Sequence, residues 1–123
     1  MSEQISFDDF LRVDIRTGTI VRAQIFEKAK KPAYQLEIDF GSIGVKKSSA
    51  QITAHYTPEQ LVGKQVVAVV NFPVKQIANF FSECLVLGAV ESNGDIVLLQ
   101  PTQAVENGLR IAWLTAGEFI AIP

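Results

Sequence analysis

Two short apolar runs, Val66–Val70 and Leu85–Leu87, limit what this chain can fold into more than any other feature. Each run is long enough for a strand but too short for a helix, and the valines of the first run suit a buried, pleated surface. Asn71-Phe72-Pro73 follows the first run, and its proline ends the strand because it has no N–H to donate. The connector beyond mixes polar and aromatic side chains, which predicts a loop that displays function on a rigid scaffold.

Three strands are predicted before these runs. Val13–Phe26 alternates between apolar and polar residues for most of its length, and Gly18 in its interior predicts a bulge or sharp bend there. Tyr34–Phe40 alternates strictly, which is typical of a half-buried strand. A turn with two glycines, Gly41–Gly44, leads into a third strand at about Val45–Ile52.

Two capped helices and a hairpin are also predicted. Ser6–Leu11 favours a short helix because its first residue can cap it and its apolar residues fall at helical spacing. Thr57–Gln60 is a capping box, so a second short helix is expected near Pro58–Val62. Ser92–Asp95 contains an Asn-Gly pair that tolerates positive φ, which predicts a hairpin between the last two strands.

This order of elements predicts an all-β protein with an OB-fold, which is a five-stranded Greek-key β-barrel. The barrel core is expected at about residues 13–99, within a single domain that spans residues 1–123. A short N-terminal helix, an inter-strand helix and a C-terminal extension complete the predicted architecture. A β-sandwich is the alternative that satisfies the same periodicity.

The basic residues are concentrated in one part of the chain. The span from Arg12 to Lys75 holds ten Lys and Arg residues and five acidic residues, a net charge of +5, whereas the remainder has one Arg and eight acidic residues, a net charge of −7. The whole chain carries −2. This split predicts a basic face on an acidic protein, although an unevenly charged solvated surface would give the same counts.

Composition argues against several classes of protein. No apolar run approaches the roughly 18 residues that a membrane helix needs, and the acidic start of the chain is unlike a signal peptide, so we expect a cytoplasmic protein without membrane insertion. Cys84 is the only cysteine and His55 the only histidine, so an internal disulfide is impossible and no metal site is predicted. No catalytic motif has the required spacing, so we predict neither an enzyme nor a cofactor.

Several motifs occur in the order and at the spacings typical of one family. They are Val13–Gly18, Asp39–Gly41, Lys47–Ile52, Tyr56, Leu61–Lys64, Val69–Pro73 and Ser82–Gly88. Together they resemble the tRNA-binding domain family of OB-folds over about residues 8–99. Ser48–Thr53 and Val69–Pro73 resemble in particular the CsaA type of that family, which is described as a small homodimeric chaperone related to protein secretion.

That resemblance implies a set of residues that bind tRNA. Members of the family use basic positions on one barrel face and a serine near the start of the last core strand. The matching residues are Lys46, Lys47, Lys75 and Ser82, with Asn71 tying the connector to the barrel. Cys84 and Leu85 stand where the family has glycine and methionine, which predicts weak, salt-sensitive tRNA binding.

The CsaA type implies a second activity, the binding of unfolded or preprotein polypeptides in an exposed apolar groove. The candidate residues are Phe72, Ile77, Phe80 and Phe81. Because Phe80 and Phe81 are adjacent, a strand would point them to opposite faces, and we expect one of them to be exposed or at an interface. Polypeptide binding and tRNA binding both stay open here, since one barrel face suits either ligand.

Apolar residues outside the barrel predict a homodimer. The candidate interface residues are Phe7, Phe10, Leu11, Leu109, Ile111, Trp113 and Leu114. One small barrel cannot bury apolar residues from both ends of the chain, whereas pairing about a two-fold axis would bury both sets. The alternative is that the tail folds back over its own barrel.

Overall fold

The computed structural model describes residues 2–113 of the chain. In chain order, the helices and strands are α1 (Phe7–Leu11), β1 (Ile15–Ile25), β2 (Tyr34–Asp39), β3 (Val45–Ala50), α2 (Pro58–Leu61), β4 (Gln65–Val69), β5 (Lys75–Ile77), β6 (Phe80–Ser82), β7 (Leu85–Val86), β8 (Gly88–Val90) and β9 (Ile96–Leu98). The predicted Ser6 cap of α1 and the predicted capping box of α2 are both present. Ser6 and Thr57 each form reciprocal hydrogen bonds with the third helical residue, so α1 also begins with a capping box.

The long strand β1 lies at the centre of a five-stranded antiparallel sheet with the order β3-β2-β1-β4-β7. The two outer strands of this sheet approach each other just before β7. There the Glu83 amide donates to the Lys47 carbonyl at 2.7 Å, and the Ser49 amide donates to the Ser82 hydroxyl at 3.1 Å. The sheet is therefore a nearly closed barrel, and the predicted OB-fold, rather than the sandwich, is confirmed.

Alternating residues of β2 form the centre of the hydrophobic core. Tyr34, Leu36 and Ile38 are buried, whereas the residues between them are only half-buried. Phe40, just after the strand, is also fully buried. Leu61 of α2 is fully buried too, so this single side chain docks the short helix on the barrel.

Gly18 serves a different purpose from the predicted bulge. The shift in register between β1 and β2 lies between Ile20 and Arg22, whereas Gly18 pairs regularly with Val66 in β4. A Cβ atom at Gly18 would stand 2.7 Å from both the Ile38 Cγ2 atom and the Phe40 ring. The bulge predicted at Gly18 is therefore wrong, while the sharp bend stays a prediction, and the glycine gives the core side chains room to reach β1.

The connector after β4 contains a hairpin rather than the predicted loop. Strands β5 and β6 pair antiparallel, with Ile77 opposite Phe80. The turn between them uses Ala78, the only residue other than glycine with positive φ among the described residues, at +53°. Because this turn has neither Gly nor Asn-Gly, the sequence lacked the usual hairpin signal.

The strand predicted around the run Leu85–Leu87 is divided in two. Its first part, β7, pairs with β4 in the barrel, and its second part, β8, pairs with β9. The Asn-Gly turn that joins β8 to β9 is present, with Gly94 at a φ of +92°. No helix among residues 2–113 is long and apolar enough to cross a membrane.

The C-terminal extension runs along the first half of β1. The Thr17 amide donates to the Leu109 carbonyl at 2.9 Å, and the Gly108 amide donates to the Thr17 carbonyl at 2.7 Å. The Gln65 side chain accepts from the Val105 amide at 3.0 Å and donates to the Val105 carbonyl at 2.6 Å. These bonds fix the extension to the barrel of its own chain over residues 105–111.

Burial raises the pKa of the Cys84 thiol to about 12. Because the thiolate is the reactive form, we expect Cys84 to resist a disulfide reagent at pH 8 in the folded protein and to react once the chain is unfolded. Absorbance of the released thiol measures this difference. Ser92→Cys in a Cys84→Ser background places a thiol in an exposed turn and should react at once. Fast labelling of native Cys84 would contradict the prediction.

Candidate functional site

The predicted lysines do not all share one face of the barrel. Lys46 and Lys47 are neighbours on β3, and Lys46 lies on the same side of the strand as the buried Ser48. Lys47 points to the other side, where its Nζ atom lies 5.5 Å from the centre of the Phe80 ring. Lys75 on β5 stands directly opposite Ser82 of β6. Lys47 and Lys75 therefore both adjoin β6, whereas Lys46 lies on the inward-facing side of β3.

Ser82 is buried, and its hydroxyl group already has partners. The hydroxyl accepts a hydrogen bond from the Ser49 amide at 3.1 Å and lies 3.4 Å from the Cys84 carbonyl, to which it donates. Only 7% of the residue is exposed. In this structure Ser82 closes the barrel between β3 and β6, so its geometry favours a structural role over a direct contact with RNA.

Asn71 ties the start of the connector to the segment that precedes β1. Its side-chain amide donates to the Arg12 carbonyl at 2.7 Å, and its oxygen accepts from the Asp14 amide at 3.0 Å. Next to it, the Val70 amide donates to the Asp14 carbonyl at 2.9 Å. The side chain therefore holds the exit of β4 against the entry of β1, as the family resemblance implies.

The four aromatic and aliphatic candidates for polypeptide binding divide into two pairs. Phe80 is buried, with its ring 5.5 Å from that of Phe26, and Ile77 packs against the same cluster. Phe72 and Phe81 remain 52% and 47% exposed. The expectation that one of the two adjacent phenylalanines is exposed is confirmed, since β6 points them to opposite faces.

Two further apolar side chains near this surface were missed by sequence reasoning. Val74 is exposed two residues after Phe72, and Leu85 is exposed at the start of β7. The spacing of Phe72 and Val74 was a usable signal, because residues two apart on an extended chain share a face. Leu85 gave no such signal, since it belongs to a run that otherwise suits the core.

A basic loop beside the hairpin was also not assigned to the site. Lys28, Lys30 and Lys31 lie between β1 and β2 and are exposed. A small satellite core joins this loop to β5 and β6; its members are Phe26, Ala29, Ala33, Ile77 and Phe80. Within residues 2–113 the structure records no ion pair for any lysine. Lys47 nevertheless has carboxylates beside it, since Glu37 lies opposite it on β2 and the Glu83 carboxylate accepts from its backbone amide at 2.9 Å.

The candidate residues for the dimer interface meet one another within a single chain. The Trp113 ring stacks on Phe7 with centroids 5.5 Å apart and meets Phe10 edge-on at 5.7 Å. The Arg110 guanidinium donates to the Leu11 carbonyl at 2.7 Å, which links the extension to α1. Phe7 nevertheless stays 74% exposed. Leu114 lies outside the described residues.

Leu109 and Ile111 line an open apolar cleft of about 320 Å³. The other apolar side chains of this cleft are Val67, Leu99, Pro101 and Val105. The cleft lies where the extension crosses β1 and β4, away from the hairpin that carries Phe81. Two separate apolar surfaces are therefore present, and we name them the hairpin surface (residues 72–85) and the extension surface (α1 with residues 99–113).

Comparison with known proteins supports the family resemblance. The family model described as "Putative tRNA binding domain" matches residues 15–110. The solved structure of chaperone CsaA from Bacillus anthracis is 55% identical, with a TM-score of 0.86 over 89% of this chain and 100% of that chain. The CsaA chaperone protein of Picrophilus torridus is 52% identical, with a TM-score of 0.83 over the same shares.

Curated relatives include much longer proteins. The methionine–tRNA ligase of Porphyromonas gingivalis is 35% identical over 111 residues, which is 90% of this chain but only 16% of the ligase. The match thus concerns one part of that enzyme, and the ligase activity does not transfer to this chain. On the family model and the two solved structures, the chain belongs to the tRNA-binding domain family of OB-folds and, within it, to the CsaA type.

Proposed function

We propose that this protein is a cytoplasmic, homodimeric chaperone that binds unfolded or preprotein polypeptides on its hairpin surface. The observation that carries this proposal is the pair of half-exposed rings, Phe72 and Phe81, on a chain that is 55% identical to a chaperone CsaA. Exposed aromatic side chains carried by one short stretch of chain are candidates for a surface that binds a partner. Unfolded segments offer apolar side chains that such a surface can cover.

The hairpin surface is held in place before any ligand binds. Phe80 anchors β6 by packing on Phe26, and the same strand then directs Phe81 outward. Asn71 fixes the backbone immediately before Phe72. Because these anchors fix the backbone that carries the rings in the free protein, binding loses less conformational entropy than it would on a mobile loop.

Aggregation of a denatured client protein tests this function. Phe72→Ser with Phe81→Ser should abolish the suppression of aggregation, because both exposed rings are removed while the buried Phe80 anchor remains. Light scattering at a fixed ratio of chaperone to client measures the effect. Val90→Ser removes an even more exposed apolar side chain from β8 and should keep full activity. A double variant that protects the client as well as the wild type would refute the proposal.

A second candidate function is weak tRNA binding, which the match to the tRNA-binding family model favours. Lys47 and Lys75 adjoin β6, and the loop with Lys28, Lys30 and Lys31 is joined to the same hairpin by the satellite core. Phosphate groups are bound mainly by cationic side chains, and each contact releases counterions. Binding is expected to be weak, since the chain as a whole carries −2.

Gel shift of tRNA over a range of salt concentrations tests the second function. Replacing Lys46, Lys47 and Lys75 with Gln should weaken binding. It should also reduce the slope of log binding constant against log salt concentration by about one for each lysine that contacts a phosphate. The control removes two charges elsewhere, at Arg12 and Lys64, and should leave the slope nearly unchanged. Absence of binding at low salt, or an equal loss in both variants, would contradict this assignment.

A further inference from the structure

Three metal-ligating side chains converge at one place outside both apolar surfaces. His55 lies in the segment between β3 and α2, whereas Glu91 and Asp95 flank the turn between β8 and β9. One ligand atom from each residue lies within 4.8 Å of the other two. Because His55 is far from the two carboxylates in sequence, only the fold brings this set together.

The hairpin turn places the two carboxylates side by side. The Glu91 amide donates to the Asp95 carbonyl at 2.7 Å, and the Gly94 amide donates to the Glu91 carbonyl at 2.8 Å. Gly94 has a φ of +92°, a conformation that closes the turn and that other residues rarely adopt. The backbone hydrogen bonds of the turn therefore fix the positions of Glu91 and Asp95 relative to each other.

The third side chain is brought to the turn by its neighbour. The Tyr56 hydroxyl accepts a hydrogen bond from the Leu98 amide of β9 at 3.0 Å, and the Tyr56 carbonyl accepts one from the Tyr34 hydroxyl at 2.7 Å. The His55 ring meets the Tyr56 ring edge-on, with centroids 6.4 Å apart. The segment that carries His55 is thus anchored both to the barrel and to the β8–β9 hairpin.

A further polar group orients one of the carboxylates. The Asn93 side chain donates to the Asp95 Oδ2 atom at 3.0 Å and accepts from the Asp95 amide at 3.0 Å. This arrangement leaves the Oδ1 atom of Asp95 available as a ligand. Metal ligands are commonly held by such outer partners, which fix their direction.

We propose that His55, Glu91 and Asp95 bind a Zn²⁺ ion. An imidazole nitrogen with two carboxylate oxygens suits Zn²⁺, whereas Mg²⁺ and Ca²⁺ prefer oxygen ligands alone. Three protein ligands leave a fourth position to water. The bound ion joins the segment of His55 to the β8–β9 hairpin and so stabilises the folded barrel.

The competing interpretation is a simple ion pair. The His55 Nε2 atom lies 2.5 Å from the Glu91 Oε1 atom. Zinc ligands at about 2.0–2.2 Å from the ion stand about 3.3 Å apart in a tetrahedral site, so this contact must open by about 1 Å when the ion binds. Both side chains are partly exposed, at 40% and 46%, which leaves room for that movement.

Calorimetric titration of tag-free, chelator-treated protein with ZnCl₂ tests the proposal. The chain has no second histidine, and its only cysteine is buried, so few other groups compete for the ion. We expect one ion per chain. His55→Ala and Asp95→Asn should each weaken binding by about 10-fold or more, and Asn93→Ala by about 10-fold through loss of orientation. Glu59→Gln, which removes an exposed carboxylate elsewhere, should change nothing.

Thermal unfolding gives a second readout that does not depend on heats of binding. Excess Zn²⁺ should raise the melting temperature of the wild type but not of His55→Ala or Asp95→Asn, and a chelator should reverse the rise. Circular dichroism confirms that each variant is folded before titration. If the three residues form only an ion pair, Zn²⁺ should not change the melting temperature of the wild type. Equal changes in the wild type and all variants would show that these residues are not the ligands. Either result overturns the proposal.

Discussion

Gly18→Ala should lower the free energy of unfolding by about 1–3 kcal/mol. The added Cβ atom would stand 2.7 Å from Ile38 and from the Phe40 ring, and both side chains are fully buried. Neither neighbour can move outward without disturbing the core. Removal of a strand glycine usually favours folding by about 0.5–1 kcal/mol. The clash is expected to cost more than this gain, so that the net effect is a loss of stability. Denaturant unfolding at equilibrium measures the difference.

A second substitution makes this prediction more specific. Phe40→Leu removes the ring atoms that the new Cβ would meet, so Gly18→Ala with Phe40→Leu should lose less stability than the sum of the two single variants. Gln24→Ala, on the exposed part of the same strand, should change stability by less than about 0.5 kcal/mol. Normal stability of Gly18→Ala, or strict additivity in the double variant, would contradict the proposed clash.

Local signals in the sequence predicted those parts of the fold that local chemistry determines. The helix cap at Ser6, the capping box at Thr57, the strict alternation of Tyr34–Phe40 and the Asn-Gly turn at Gly94 all appear in the structure. Each depends on residues within a few positions of one another. Such signals are read from the chain without knowledge of its tertiary contacts.

Other features depend on contacts between distant residues and could not be predicted. Gly18 resembles a bulge in sequence, but its role is set by Ile38 of β2 and by Phe40, just after that strand. The β5–β6 hairpin turns at Ala78, a residue without turn preference, and is held by the satellite core that includes Phe26. Tertiary packing thus overrode local preference at these positions.

The candidate sites show the same division. The resemblance pointed to Phe81, which the structure leaves half-exposed, and to Lys47, whose Nζ atom lies against the buried Phe80 ring on the other face of β6. It also pointed to Phe80 and Ser82, which the structure buries, because alternate residues of β6 face the barrel. The motif locates the element, but the direction of each side chain follows from strand register, which a motif does not specify.

Phe7→Asp should convert the proposed homodimer into a monomer. Phe7 is 74% exposed even though it stacks on Trp113, and Ile5 beside it is 69% exposed. The extension surface, with its apolar cleft of about 320 Å³, therefore keeps apolar area that one chain does not cover. In a two-fold interface both copies would bring the new carboxylate, so the unfavourable burial of charge occurs twice.

Sedimentation at micromolar concentration measures this change. The wild type should have about twice the chain mass of 13.5 kDa, and Phe7→Asp should fall to that mass. The helix tolerates the substitution, since an acidic residue in the first turn complements the helix dipole. Phe81→Asp adds the same charge to the hairpin surface, and we expect it to stay dimeric while losing client protection. A wild type of 13.5 kDa, or a Phe7→Asp variant that remains dimeric, would show that the extension serves only its own barrel.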